Sequence, residues 1–92
     1  MRITVEVSLY PLREQYLPTI EAFIRSLQNT PRLEVTVNQM STQFTGELED
    51  VARAVEKALA ASFQAGGPQV LVAKYLNADL PVAEAPVLGP PR

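Results

Sequence analysis

Hydrophobic and polar residues alternate one by one over residues 3–10. The odd positions carry Ile, Val, Val and Leu, whereas the even positions carry Thr, Glu, Ser and Tyr. A period of two with β-branched residues predicts a strand that is buried on one face. Because proline cannot donate to a β-ladder, we expect this strand to end at Pro11.

The next hydrophobic stripe has a helical period. The residues that share one helix face are Tyr16, Ile20, Phe23, Ile24 and Leu27. Pro18 lacks an N–H and suits a first turn, so the helix is predicted to begin near Tyr16 or Leu17. Residues 29–31 (NTP) close the helix. Residues 10–15 are therefore expected to form a loop at the carboxyl end of the first strand.

Two short strands and a second helix are predicted in the middle of the chain. Residues 33–37 alternate like the first strand, and residues 43–46 form a short third strand after a turn at 40–42. A second helix is predicted from about Glu49, since an apolar stripe with helical spacing runs from Leu48 to Phe63.

A stop signal, a last strand and a tail complete the chain. The Gly-Gly-Pro sequence at 66–68 ends the second helix. Residues 70–76 are almost continuously apolar, as in a central strand. Residues 81–92 hold four prolines and little that can pack, which predicts a flexible proline-rich tail after a domain at 1–80.

The order of these elements is strand, helix, strand, strand, helix, strand. Two interleaved βαβ units of this kind predict an α+β fold, the ferredoxin-like βαββαβ sandwich. In this fold a four-stranded antiparallel sheet carries both helices on one face. The opposite face of the sheet stays uncovered and is the natural place to look for function.

Composition excludes several classes of chemistry. The 92 residues contain no Cys and no His, which removes disulfides, thiolate nucleophiles and the usual zinc and copper ligands. A net charge of −2 argues against a nucleic-acid surface. The start of the chain lacks the pattern of a signal peptide, and no apolar run approaches the ~20 residues that span a bilayer. We therefore expect a cytoplasmic protein without metal, cofactor, nucleic-acid or membrane partner.

The uncovered sheet face offers candidate binding groups. Glu6, Ser8, Tyr10 and Asn38 are predicted to lie there, and together they can orient a polar ligand. The same residues also describe an ordinary solvated sheet face. A third interpretation is that two sheets pair face to face, since small domains often gain stability by oligomerisation. On this basis we expect a homodimer or a larger homo-oligomer.

Other users of this fold do not match the sequence. Acylphosphatases need an arginine-bearing phosphate loop, but residues 10–13 (YPLR) contain no glycine cradle. RNA-recognition domains need strand-borne aromatics with a basic surface, and heavy-metal carriers need a cysteine pair. The acidic residues Glu47, Glu49 and Asp50 cluster at a helix start, where acids usually serve the helix dipole.

Five short segments resemble the thiamine-binding (YkoF-like) protein family. They are 8–14 (SLYPLRE), a helix start at 16–18 (YLP), 38–43 (NQMSTQ), 46–47 (GE) and 74–79 (KYLNAD). Their order and spacing cover about residues 3–79, and the proline-rich tail lies outside the resemblance. The resemblance implies a ferredoxin-like fold, assembly through the sheets, and binding of thiamine or its hydroxymethylpyrimidine half.

The chemistry of that ligand selects candidate contacts. Tyr10 can stack on an aminopyrimidine ring, and a set of polar side chains can bind its edge. The candidate ligand-binding residues are Glu6, Ser8, Tyr10, Asn38, Ser41, Thr42 and Gln43. The cationic thiazolium suits Glu6, Glu47 or Asp79. Each of these residues also has a purely structural explanation, such as a turn contact of Ser41 and Thr42 with local backbone.

Three functions follow in order of preference. The first is a non-catalytic cytoplasmic binding protein for thiamine or hydroxymethylpyrimidine, acting as a carrier, buffer or sensor. The second is a self-association or protein-interaction module without a small-molecule ligand. The third is an enzyme that uses carboxylates alone.

Overall fold

The computed structural model describes residues 1–91. Its elements are β1 (Arg2–Pro11), α1 (Leu17–Gln28), β2 (Glu34–Val37), β3 (Thr42–Glu47), α2 (Leu48–Gln64) and β4 (Gln69–Leu76). The strands form one antiparallel sheet in the order β2-β3-β1-β4. The predicted ferredoxin-like βαββαβ fold is therefore confirmed.

The hydrophobic core lies between the sheet and the two helices. All four odd apolar positions of β1 are buried, as their alternation predicts, and Phe44 of β3 is fully buried beside them. Phe23 and Leu27 contribute from α1, and α2 contributes a stripe of small and branched residues. The stripe consists of Val51, Ala54, Val55 and Ala58. The even positions of β1 consequently face away from the helices.

The β2–β3 turn begins two residues earlier and ends one residue earlier than the sequence predicts. The Asn38 N–H donates a hydrogen bond to the Ser41 carbonyl at 2.9 Å, so the turn comprises residues 38–41. Thr42 is already the first residue of β3, where it pairs with Val7. Thr42 therefore shares the helix-facing side of the sheet with Val7, while Gln43 faces the opposite side.

β4 is an edge strand, and its prediction as a central strand is wrong. It pairs with β1 alone, and most of its residues are exposed. Val70, Val72, Lys74 and Leu76 lie across from even positions of β1 and share the face that the helices leave open. A continuous apolar run does not distinguish a strand buried on both sides from one exposed on both sides.

Residues after β4 cover one end of the open face. The Thr4 hydroxyl donates to the Ala78 carbonyl and accepts from the Leu80 N–H, both at 2.8 Å. Arg2 forms an ion pair with Asp79 at 2.9 Å. The other end of that face, around Ser8 and Tyr10, stays open. From residue 81 to 91 there is no helix or strand, and Arg92, the last residue of the predicted tail, lies outside the described residues.

The two helices were compared with the requirements of a membrane span. Within residues 1–91, neither α1 nor α2 has the length and hydrophobicity that crossing a bilayer requires. The cytoplasmic location stays a prediction.

Candidate functional site

A cleft opens beside the carboxyl half of β1. The pairing of β1 with β3 stops at Val7 and Thr42, but β1 continues to Pro11 with β4 as its partner. The cleft fills the place that a longer β3 would take, and its volume is about 610 Å³. Small-molecule sites commonly have volumes of roughly 300–1,000 Å³. Its lining residues are 7–12, Tyr16, Leu17, Ile20, Phe23, Ile24 and 38–42.

The first half of α1 forms the apolar wall of the cleft. Tyr16 and Leu17 are about half exposed, and Ile20 and Ile24 are half-buried, whereas Phe23 is buried. The sequence predicted only that the residues of the apolar stripe share one face of α1 and did not indicate a cleft. In the structure, Phe23 and Leu27 are the buried members of this stripe. One feature of the sequence could have indicated this wall. The apolar stripe of α1 extends to its first turn, and the loop before it also carries an apolar residue, Leu12.

The β2–β3 turn forms the polar rim of the cleft and is tied to β1 by two side chains. The Ser41 hydroxyl donates to Oε2 of Glu6 at 3.1 Å. The Ser8 hydroxyl donates to the Met40 carbonyl at 3.4 Å. With the internal Asn38–Ser41 hydrogen bond, these contacts hold the turn in one position relative to β1.

Glu6 is the centre of a polar cluster on the open face. Besides Ser41, Gln43 Nε2 donates to its Oε2 at 3.5 Å, and the Lys74 ammonium lies 3.4 Å from Oε1. The hydrogen bond from Ser41 and the hydrogen bond and charge of Lys74 lower the pKa of Glu6 below its ordinary value of 4.5. Glu6 is therefore a carboxylate at neutral pH.

Five of the seven predicted site residues line the cleft. These are Ser8, Tyr10, Asn38, Ser41 and Thr42. Glu6 and Gln43 do not line it. Glu6 lies behind the rim, where it accepts from Ser41, and Gln43 donates to Glu6. Thr42 is only 4% exposed because it faces α1 rather than the open face.

The other two acids considered for a cation lie elsewhere. Glu47 accepts an ion pair from the N-terminal ammonium at 3.0 Å, and Asp79 is paired with Arg2. Both stand at the opposite end of β1 from the cleft.

The side chains that line the cleft are mostly apolar. Among its lining residues the titratable side chains are Tyr10 and Tyr16, and the remainder are apolar, hydroxyl or amide groups. Within residues 1–91, no three acidic side chains come together as a metal site would require. An apolar lining with a few fixed polar groups is typical of small-molecule sites.

Solved structures from several organisms share this fold. A Thermotoga maritima protein provisionally assigned to thiamine biosynthesis or salvage superposes with a TM-score of 0.76 at 20% identity, covering 85% of this chain and 85% of that chain. A Streptococcus pneumoniae protein gives 0.76 at 21% identity over 90% and 92% of the two chains. A Bacillus cereus domain of unknown function gives 0.73 at 21% identity over 85% and 77%. These likenesses establish the fold alone.

Sequence comparison is more specific. No curated protein matches this sequence significantly. Residues 5–77, however, match the family model described as thiamine-binding protein. The matched range includes every residue that lines the cleft.

Proposed function

The chain belongs to the thiamine-binding protein family, and we propose that it binds thiamine or hydroxymethylpyrimidine in the cleft beside β1. One observation carries this proposal. The cleft of about 610 Å³ combines an apolar wall from α1 with a polar rim from the β2–β3 turn, all within the range that matches the family. Its size and lining suit a small aromatic heterocycle.

The side chains of the cleft divide into two groups in this proposal. Tyr10 and Tyr16 offer rings for stacking, and Asn38 and Ser41 offer polar groups at the rim. Glu6 acts from behind the rim, where it accepts from Ser41 and fixes the turn, while its own charge is paired with Lys74. Gln43 holds the Glu6 carboxylate in place, and Ser8 holds the turn.

The proposed role is that of a carrier, buffer or sensor rather than an enzyme. Among residues 1–91 no carboxylate lines the cleft, and its titratable side chains are the phenols of Tyr10 and Tyr16, which this proposal assigns to stacking. The description of the family by binding agrees with this role.

We also propose that the chain assembles into a homodimer or homotetramer through its sheet. Val70, Val72 and Leu76 are each 43% or more exposed on the open face, and Tyr10 is 53% exposed beside them. A second sheet packed on this patch would bury apolar surface that a monomer leaves in water. Since Tyr10 belongs to both the patch and the cleft, a second copy would border the ligand site.

The same patch supports a second candidate function, a self-association module without a ligand. Two variants separate the candidates. Ile20→Trp fills the cleft from the helix side, and a ligand-binding protein then loses thiamine binding but keeps its oligomeric state in light scattering. Val72→Lys places a charge on the open face and should dissociate the oligomer. Absence of binding in the unmodified chain, together with dissociation of Val72→Lys, would support the module and contradict the ligand.

A further inference from the structure

Within residues 1–91, the main-chain N–H and C=O of Leu9 are not hydrogen-bonded to a neighbouring strand. In an antiparallel sheet the N–H and C=O of one residue point to the same neighbour, and successive residues alternate. The Leu48 N–H donates to the Met1 carbonyl, and the Leu12 N–H donates to the Pro68 carbonyl. Odd residues of β1 therefore direct their main-chain groups toward β3, and even residues toward β4.

Leu9 is the first odd residue of β1 that β3 does not reach. Val7 is paired with Thr42, and the register would place Met40 opposite Leu9. Met40 lies in the turn instead, and its carbonyl accepts from the Ser8 hydroxyl. Within residues 1–91, neither the N–H nor the C=O of Leu9 has a hydrogen-bond partner on this side.

The position of Leu9 makes this open pair significant. Leu9 is only 6% exposed and lines the cleft. Buried main-chain groups are nearly always paired, so an open donor and acceptor at a cleft mark a place for a ligand. Pro11, the next odd residue, has no N–H to leave open, and the donor–acceptor pair is thus confined to Leu9.

We infer that the main-chain N–H and C=O of Leu9 bind the aminopyrimidine edge of the ligand, which takes the place of the missing β3 residue. On this edge a ring nitrogen accepts a hydrogen bond and the adjacent exocyclic amine donates one. The N–H of Leu9 donates to the ring nitrogen, and its C=O accepts from the amine. This inference rests on the proposed function and specifies how the ligand is recognised.

Selectivity follows from the order of donor and acceptor. A pyrimidine with an oxo group in place of the amine presents an acceptor where Leu9 needs a donor, and its ring N–H meets the N–H of Leu9. Buried polar groups left unpaired reject such an analogue strongly. The 4-amino compound should therefore bind at least about tenfold more tightly than the 4-oxo compound.

The test replaces one amide by an ester in the full-length chain. An ester between Ser8 and Leu9 removes the N–H of Leu9 and no side-chain atom. The matched control is an ester between Glu6 and Val7. Both esters weaken a carbonyl that faces β4, but the control also removes an N–H that pairs with Thr42. Thermal unfolding and calorimetric titration with hydroxymethylpyrimidine and its 4-oxo analogue are measured for each.

The inference predicts a different result for each ester. The Leu9 ester should unfold at a higher temperature than the Val7 ester and bind hydroxymethylpyrimidine about fivefold or more weakly than the all-amide chain. Equal destabilisation by both esters would show that the Leu9 N–H is already engaged and would overturn the inference. So would unchanged affinity of the Leu9 ester, or equal binding of the amino and oxo compounds. An all-amide chain that binds neither compound would contradict the proposed function itself and exclude the aminopyrimidine as the group that Leu9 binds.

Discussion

The Ser41 hydroxyl donates a hydrogen bond to Glu6 at 3.1 Å, which joins the β2–β3 turn to the central strand of the sheet. This contact links the rim of the cleft to the charge behind it. Because Ser41 is also the largest cause of the lowered pKa of Glu6, the position of the turn and the charge of the carboxylate are coupled.

Ser41→Ala should raise the pKa of Glu6 toward its ordinary value, since the carboxylate loses the hydrogen bond that favours its charged form. The measurement is an NMR titration of the Glu6 carboxyl carbon. Ser8→Ala is the matched control, because Ser8 donates to the Met40 carbonyl and leaves Glu6 untouched. The same upward shift in both variants would contradict the assignment of Ser41 as the donor.

The stability that Glu6 contributes should disappear in acid. Its pKa is lower in the folded chain than the ordinary 4.5, so the unfolded chain takes up the proton first and protonation favours unfolding. The contribution is complete above pH 4.5 and is lost as the pH falls through the lower folded value. Denaturant unfolding of the unmodified chain and Glu6→Gln across this range tests the prediction. The difference in unfolding free energy between the unmodified chain and Glu6→Gln should become smaller toward acid pH. A difference that becomes larger would contradict the prediction.

Substitutions in the hydrophobic core should lower stability, whereas substitutions in the apolar wall of the cleft should weaken ligand binding. Phe44 is fully buried, and Phe44→Ala should cost about 3–5 kcal/mol of unfolding free energy through loss of packing and cavity formation. Leu17 is 57% exposed on the wall of the cleft. Leu17→Ala should change stability by less than about 0.5 kcal/mol but weaken thiamine binding. Destabilisation by Leu17→Ala on the scale of Phe44→Ala would place Leu17 in the core and not in the wall.

Gly46→Ala should destabilise the fold by about 1–3 kcal/mol, because there is no room for a methyl group. An added Cβ would lie 2.7 Å from Cδ2 of Leu33 and 3.1 Å from the carbonyl oxygen of Arg32. Gly89→Ala is the control, since an added Cβ there meets nothing within 4 Å. Thermal unfolding of both variants tests the prediction, and equal midpoints would show that the β2 side of the sheet adjusts without cost.

The strands and helices were predictable because their local patterns report burial directly. The alternation of β1 identifies its buried face, and the Gly-Gly-Pro stop at 66–68 places the end of α2. β4 was not predictable in the same way, because a strand that is apolar at almost every position carries no information about which face is covered.

The site was predictable only in part, because the cleft depends on a register between distant strands. Because β3 begins opposite Val7, Leu9 has no partner residue in β3. The local sequence pattern carries no information about this register. Residues 38–43 were selected through the family resemblance, and the structure places residues 38–42 of this segment at the cleft. The apolar wall from α1 was missed, since a stripe that packs on a core and one that lines a cleft have the same spacing.

Calorimetric titration of the purified chain with thiamine, and separately with hydroxymethylpyrimidine, tests the central claim most directly. We expect saturable binding of at least one compound with a Kd of about 1 μM or lower, equivalent to about −8 kcal/mol. We also expect that Ile20→Trp abolishes this binding, while Glu56→Gln, an exposed change on α2, leaves it intact. Flat titrations with both compounds, from a chain that is folded by circular dichroism, would contradict the claim that the cleft beside β1 is a thiamine site.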